Sequence, residues 1–309
     1  MLEAASHWRI EASTLGLVGD FENFVYEARL PDRPCILRIG HCSHRSASDL
    51  HGELDFIRFL AGRGLGVCAP IASINGRDVE AIGAEFFACA FERAPGKAIS
   101  ERDPAIWNER TLSNWGKILA DFHLATRDYT PAPSRPRRFR WDQDDCTSGH
   151  HLPPEDADIS ARLASMVERV NAMPASLESY GLIHADLHYG NFFGSETGEI
   201  AAFDFDDATY HWFSYDLAVA FNALPSALSD SERDHAVRTI LTGYRQRRPL
   251  PPSFHDELRQ LLLLRDMQLY QLIHKKTAPT DRSASWLSHA ARLAQRIRNA
   301  EPACVVSES

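Results

Sequence analysis

Two stretches constrain this chain more than any others: His184-Ala-Asp186-Leu-His188-Tyr-Gly190-Asn191 and Phe203-Asp204-Phe205-Asp206. Between them lie two short β-type runs, Asn191 to Gly194 and Glu199 to Phe205, around the turn Ser195-Glu-Thr-Gly198. Asn191 follows Asp186 by five residues, and Asp204 follows Asn191 by thirteen. A hairpin of that length can bring Asp204 back beside Asn191, so that both share one ion. An amide oxygen and a carboxylate are hard donors of the kind magnesium takes, with phosphate as its remaining partner. Asp186 is a separate carboxylate on the same loop. With a reference pKa of about 3.9 it is a poor base for a free alcohol. It can still hold an attacking hydroxyl, because in a loose phosphoryl-transfer transition state the proton moves late and positioning dominates.

The rest of the chain divides in character near residue 94. Phe24 to Leu30 and Cys35 to Ile39 are β-type runs joined by the turn Pro31-Asp-Arg-Pro34. From Ser46 the period changes: Leu50, Leu54, Ile57 and Leu60 share a helical face, Ser46 to Asp49 fits a cap, and Gly62-Arg-Gly64 ends the helix. Ile71 to Ile74 and Arg77 to Ile82 flank Asn75-Gly76 and predict a second hairpin. Glu85 to Arg93 predicts one more strand, stopped by Pro95-Gly96. Beyond it helices dominate, with apolar faces at Leu112, Trp115, Leu119, Phe122 and at Ile159, Leu163, Met166, Val167, Val170. Three further helices are expected near 232–246, 254–274 and 283–299, and the runs around Ser195 to Gly198 are the only β signals of this half. Tyr129 to Pro154 is irregular, Pro-rich and charged, with Arg135-Pro-Arg-Arg138 and the acids Asp142, Asp144 and Asp145. Those acids read as a solvated loop or as a substrate-side cluster.

Periodicity also singles out Glu53. It lies three after Leu50 and four before Ile57, on the apolar face of its helix. A carboxylate there needs a partner, and Arg38 on the preceding strand is the candidate. A purely structural ion pair is the rival reading.

A length of 309 residues suffices for two lobes and a buried core. The formal net charge of −9 argues against nucleic-acid and anionic-membrane partners, which need a basic face. Cys35, Cys42, Cys68, Cys89, Cys146 and Cys304 are scattered without a C-x-x-C pair, so free thiols are expected. No signal-peptide pattern opens the chain and no run approaches a membrane span, which makes the cytoplasm the expected location.

The pattern H-x-D-x-x-x-x-N followed by D-F-D resembles the protein-kinase-like fold. Its His-x-Asp-Leu-His-x-Gly-Asn form is similar to the aminoglycoside phosphotransferase and choline kinase-like family. That resemblance implies an α+β bilobal fold, with a β-rich nucleotide-binding lobe at 1–94 and a mostly helical catalytic and acceptor-binding lobe at 95–309. It implies an ATP (or GTP) and Mg2+ dependent phosphotransferase with a small hydroxyl-bearing acceptor. Asp186 takes the acceptor, and Asn191 and Asp204 take the metal. Leu17 to Tyr26, with Gly19 and Asn23, resembles the nucleotide-covering hairpin; Arg38 stands at the phosphate-contacting basic position and Glu53 at the helix glutamate that pairs with it. Phe91 to Gly96, with Phe91 and Arg93, resembles the hinge. Asp216 resembles the aspartate that supports the catalytic loop. His184 is expected to brace the loop. His188 is open between a place near the phosphates and a brace, and Asp206 between a metal or acceptor contact and a solvated acid. Gly19 is open between a phosphate-loop glycine and an ordinary hairpin glycine, while His123 and His211 read as packing or surface histidines.

The sequence departs from the family pattern at Arg38, where many relatives carry lysine, in the sparse glycines of the hairpin, and at Tyr189, often a proline. Only twelve residues separate Asp204 from Asp216, and the activation segment of a protein kinase is absent, which favours a small-molecule acceptor. Three alternatives stand beside this reading. One is a non-catalytic nucleotide-binding regulatory module of the same fold. Another is a protein Ser/Thr kinase of the stress-response type. The third is a metallohydrolase using His184, Asp186 and His188. Oligomeric state, acceptor identity and ATP-versus-GTP preference leave no mark in the sequence.

Overall fold

The alternating residues on either side of Pro31 to Pro34 pair as a hairpin, and a sheet is built out from it. In the computed structural model, which describes residues 1–132, 136–276 and 283–300, the chain forms two compact units. The first comprises Met1–Thr111, Asp128–Arg138 and Gly190–Asp206; the second comprises Leu112–Arg127, Phe139–Tyr189 and Asp207–Ser309. Arg135 and Cys304 lie outside the described residues.

In the first unit a short helix α1 (Leu2–Ser6) precedes β1 (Gly16–Gly19), β2 (Phe24–Arg29), β3 (Pro34–His41), helix α2 (Ala47–Gly62), β4 (Pro70–Ile71), β5 (Glu80–Ile82) and β6 (Phe86–Glu92). The sheet is antiparallel in the order β1-β2-β3-β6-β4, with β5 also on β6. The turn at Asn75-Gly76 forms, with Gly76 at φ 72° and Ser73 N–H donating to Arg77 C=O at 2.7 Å. Its arms do not make the expected hairpin. β4 pairs with Ala90 and Phe91, while β5 pairs with Phe86 to Ala88. Ala88 to Phe91 are buried, so the outer edge of β6 needs partners for its backbone groups, and the two short arms share that edge.

One cluster of the first unit joins Ala28, Leu37, Ile39, Ala88 and Ala90 of the sheet to Trp8, Ile10 and Ile82. Helix α2 starts with a reciprocal cap: Asp49 N–H donates to Ser46 Oγ at 3.2 Å and Ser46 N–H to Asp49 Oδ2 at 3.0 Å. Its apolar face buries Leu50, Leu54, Ile57 and Leu60, each contributing roughly 1.5–3 kcal/mol of transfer free energy. That face carries Glu53 inward with it.

The remaining strands are β7 (Lys97–Ala98), β8 (Tyr180–Ile183), β9 (Phe192–Gly194), β10 (Ile200–Ala202) and β11 (Thr209–Trp212). β10-β9-β7 form a small sheet in the first unit, and β11-β8 a two-stranded ladder in the second. β9 and β10 are the expected hairpin. Before β7, Gly96 sits at φ 88°, and a Cβ there would lie 2.4 Å from Gly194 C=O, so the chain passes only as glycine. The ladder of β8 and β11 corrects the expectation that the second half holds a single β feature. β11 is buried on both faces, which erases the alternation that marks a half-buried strand.

The second unit is built from α3 (Glu109–Thr126, which begins in the first unit), α4 (Ala157–Asn171), α5 (Phe213–Asn222), α6 (Asp230–Arg245), α7 (Phe254–Lys276) and α8 (Ala284–Asn299). α7 packs against α4, α5 and α8. α3 meets α6 at two glycines, where a Cβ on Gly116 or on Gly243 would lie 1.9 Å from a facing carbonyl. Short 3-10 turns at Trp141–Gln143, Asp145–Thr147 and Pro154–Asp156 order much of the stretch expected to be irregular. No helix among the described residues is long and apolar enough to cross a membrane.

Candidate active site

In the first unit, β3 aims Arg38 at Glu53 of α2. Arg38 Nη1 donates to Glu53 Oε1 at 2.9 Å and Nη2 to Oε2 at 2.7 Å, a two-pronged pair. The side chains are 7% and 1% exposed. Burial opposes the charge on Arg38, but the Glu53 carboxylate outweighs it and holds the guanidinium pKa above its usual value. The guanidinium also lies 5.0 Å from the centre of the Phe91 ring. Arg93 is drawn to β2, donating from Nε to Glu27 Oε1 at 2.5 Å. Asn23 places its amide oxygen over Gly40, where a Cβ would meet it at 2.5 Å. Gly19 closes β1, half-buried.

Asn191 directly precedes β9, buried, and Asp204 follows β10, exposed. Phe203 N–H donates to Asn191 C=O at 3.0 Å, which keeps the two segments side by side. Asp204 adopts φ 64°, a left-handed conformation that short polar residues tolerate and that concentrates at functional sites. The pair offers an amide oxygen and a carboxylate, and this donor chemistry fits a hard divalent cation.

Asp206 is no solvated acid. It is 4% exposed, and its Oδ2 accepts from His44 Nε2 at 2.8 Å and Arg45 Nε at 3.0 Å. Burial pushes its carboxyl up, yet His44, Arg45 and Arg38 outweigh burial and hold it well below the usual carboxylate range. Arg138 Nη2 donates to the Asp206 carbonyl at 2.5 Å.

In the second unit, the residues after β8 form a loop tied down along its length. Ala185, at φ 65°, donates its N–H to Asp216 Oδ1 at 2.7 Å. The other Asp216 oxygen accepts from His123 Nε2 at 2.9 Å, and His123 Nδ1 pairs with Tyr244 OH at 2.9 Å. Burial lowers the pKa of His123 against the pull of Asp216, so a neutral ring donating to the carboxylate and accepting from the phenol fits the network. Trp115 Nε1 donates to Leu187 C=O at 3.1 Å, and Asp186 N–H donates to the buried His184 Nδ1 at 3.3 Å. This bracing over-determines a strained backbone and fixes where Asp186 points.

The Asp186 side chain is 19% exposed. Arg265 of α7 donates to its Oδ1 through a guanidinium tip, and His188 Nε2 stands 3.5 Å from Oδ2. Burial lowers the His188 pKa, with Asp186 opposing, which favours a neutral ring near pH 7. Arg265 also interacts with Tyr215, whose hydroxyl donates to Gln268 Oε1 at 2.5 Å. Asp207 acts on Arg265 and Asp144 on Tyr215 through charge. Within the acidic turn, Asp142 pairs with Arg140, Asp144 caps Cys146 N–H, and Asp145 pairs with His151 and Lys275. His211 is buried, stacked on Tyr215 at 4.0 Å.

Arg265, His44, Arg45 and Arg138 escaped the sequence reading. A signal existed for the first: Arg265-Asp266 directly follows the run Leu261 to Leu264 on a helix, and a charge beside such a run needs a partner. His44 and Arg45 lie on a polar turn that looks solvated.

This fold and these braced carboxylates define a phosphotransferase of the kinase-like type, and comparison with known proteins agrees. Residues 14–250 match the phosphotransferase enzyme family (APH), and the chain belongs to that family. It is 32% identical over 286 residues to the amicoumacin kinase of Bacillus subtilis (strain 168), covering 89% of this chain and 84% of that protein. It is 32% identical over 217 residues to a homoserine kinase of Caulobacter sp. (strain K31), covering 68% and 64%. Among solved structures, an amicoumacin kinase in complex with AMP-PNP, Ca2+ and Ami superposes with a TM-score of 0.91 at 30% identity, covering 99% of this chain and 94% of that one. A microcompartment-associated aminopropanol kinase, at 22% identity and a TM-score of 0.78 over 97% of both chains, shares the fold. The chain is a small-molecule kinase, a phosphotransferase with an alcohol group as acceptor.

Proposed function

We infer that this protein transfers the terminal phosphate of ATP, as its Mg2+ complex, to a hydroxyl of an amine-bearing small molecule of the amicoumacin type. Residues 1–94 serve the nucleotide and 95–309 the chemistry and the acceptor, a division by task rather than by compactness. Asn191 and Asp204 hold the divalent ion, which when bound neutralises charge on the phosphates. Arg38, fixed by Glu53 and backed by Phe91, grips phosphate oxygens; its planar fork can serve a carboxylate and a phosphate together. Gly19 and Asn23 cover the nucleotide, and Phe91 and Arg93 line the strand end beside its base.

Asp186 orients the acceptor hydroxyl. With Arg265 on Oδ1, the partly exposed carboxylate accepts the hydroxyl's hydrogen and takes the proton as the oxygen bonds to phosphorus and the diphosphate departs. His184 and Asp216 hold that loop in shape, and His188 stands by Oδ2. The observation that carries the assignment is this carboxylate, braced from behind yet partly open. An amine on the acceptor is supported by Asp144 and Asp207, carboxylates in electrostatic reach of the Tyr215–Arg265 pair, and by the near full-length likeness to amicoumacin kinase. Cytoplasmic ATP is the expected donor pool.

The test is an ATP-consumption screen over amicoumacin, aminoglycosides, amino alcohols, hydroxy amino acids including homoserine, and sugars, with Asp186→Ala as the blank. Acceptor-stimulated ADP release lost in the blank is expected, greatest with amine-bearing acceptors. Release unchanged in the Asp186 variant would sink the assignment, and a preference for neutral sugars would sink the acceptor class.

A further inference from the structure

Asp206 holds more partners than a loop acid needs. Its Oδ2 takes hydrogen bonds from His44 and Arg45, both on the turn that leads into α2. Its carbonyl takes one from Arg138, whose other tip donates to Asp49 C=O in the first turn of α2 at 2.9 Å. These four bonds join the start of the helix that carries Glu53 to the segment that carries Asp204. That segment has a left-handed residue at Asp204. A turn alone would need no charge here. The carboxylate does more than close a turn: it is the buried counter-charge to His44 and Arg45, and removing it would strand them.

We propose that Asp206 is a positioning residue of the nucleotide–metal site: its carboxylate clamps the segment bearing Asp204 to the turn that begins α2, and so holds the metal-binding carboxylate in place. The proposal rests on Asp204 as a metal ligand. Direct metal binding by Asp206 is the competing role, since Glu22, His44 and Asp206 present ligand atoms within 4.8 Å of one another. Arg45 on the same oxygen, with Arg38 acting on it by charge, opposes a cation there.

Calorimetric titration of the full chain with AMP-PNP, in excess Mg2+ and again in EDTA, separates the two and needs no acceptor. Asp206→Asn and Arg45→Ala should each weaken binding in Mg2+ by about tenfold, the scale of a lost outer-shell partner of a metal ligand, and leave binding in EDTA within about twofold. The double variant should lose little more than either single one, and Arg45→Lys should recover part of the loss. Equal losses in Mg2+ and EDTA would reduce Asp206 to a general structural role and overturn the proposal, as would parental affinities in both. Tighter Mg2+-dependent binding in Arg45→Ala would instead assign Asp206 as a direct ligand. If Asp206→Asn fails to fold, Arg45→Ala decides alone, its side chain being 17% exposed. An Asp204→Ala control that kept its Mg2+ dependence would remove the metal assignment itself, an outcome distinct from failure of the clamp.

Discussion

The Arg38–Glu53 pair of the first unit and the Arg265–Asp186 pair of the second are built differently. Arg38 and Glu53 bond through both prongs, with side chains 7% and 1% exposed. Arg265 and Asp186 bond through one carboxylate oxygen, with side chains 17% and 19% exposed. In the first pair, every charge is answered within the protein, and low dielectric makes the geometry stiff. In the second, the carboxylate keeps part of its surface in water, with His188 Nε2 3.5 Å from its other oxygen.

The sharpest way to test that contrast is to remove the open carboxylate. Asp186→Ala should lower turnover by ~10²–10⁴-fold while leaving AMP-PNP affinity within about twofold. Steady-state rates paired with calorimetry check it, and a parallel loss of nucleotide affinity would contradict an acceptor-side role. Next, Glu53→Ala should cost ~3–5 kcal/mol, because it strands a buried guanidinium. Urea unfolding measures this, and a loss below about 1 kcal/mol would show that water reaches Arg38 freely.

Arg265→Ala, by contrast, should cost less stability than Glu53→Ala, since both side chains of this pair keep part of their surface in water. Its effect belongs in kcat, a fall of about tenfold from a carboxylate no longer held in place, with the KM for nucleotide unchanged. A stability loss as large as that of Glu53→Ala would erase the distinction between the pairs.

The smallest effect is a pH slope. Burial depresses the His211 pKa well below 6.5 in the folded state. The unfolded chain therefore binds more protons in acid, so the contribution of neutral His211 is complete above pH 6.5 and is lost as pH falls from there towards the folded value. His123, depressed in the same direction, adds to that slope. Thermal unfolding followed from pH 7.5 to 5.5 should show a shallower decline for His211→Gln than for the parent, by at most about 1.4 kcal/mol per pH unit for one proton. Parallel curves would mean that His211 is protonated alike in both states.

Much of this was legible in the residues because the signals are local. Helix α2 is written by its cap and by Leu50, Leu54, Ile57 and Leu60, and the same period carried Glu53 to its burial and named Arg38 as its partner. The β9–β10 hairpin follows from its turn. The second hairpin was misread because turn chemistry fixes a reversal at Asn75-Gly76 and does not decide which edge the arms will find. β8 and β11 were missed because doubly buried or glycine-bearing strands lack a period of two.

The sequence by itself determined the chemistry, since phosphoryl transfer to a hydroxyl draws on few side-chain types and their order along the chain survives in any fold that uses them. Only the tertiary structure decided what surrounds them. Arg265 meets Asp186 across 79 residues and His44 meets Asp206 across 162. No periodicity or spacing encodes contacts of that range. They exist because helices and turns, each placed by packing of its own apolar face, deliver those charges to carboxylates that would otherwise be buried unpaired.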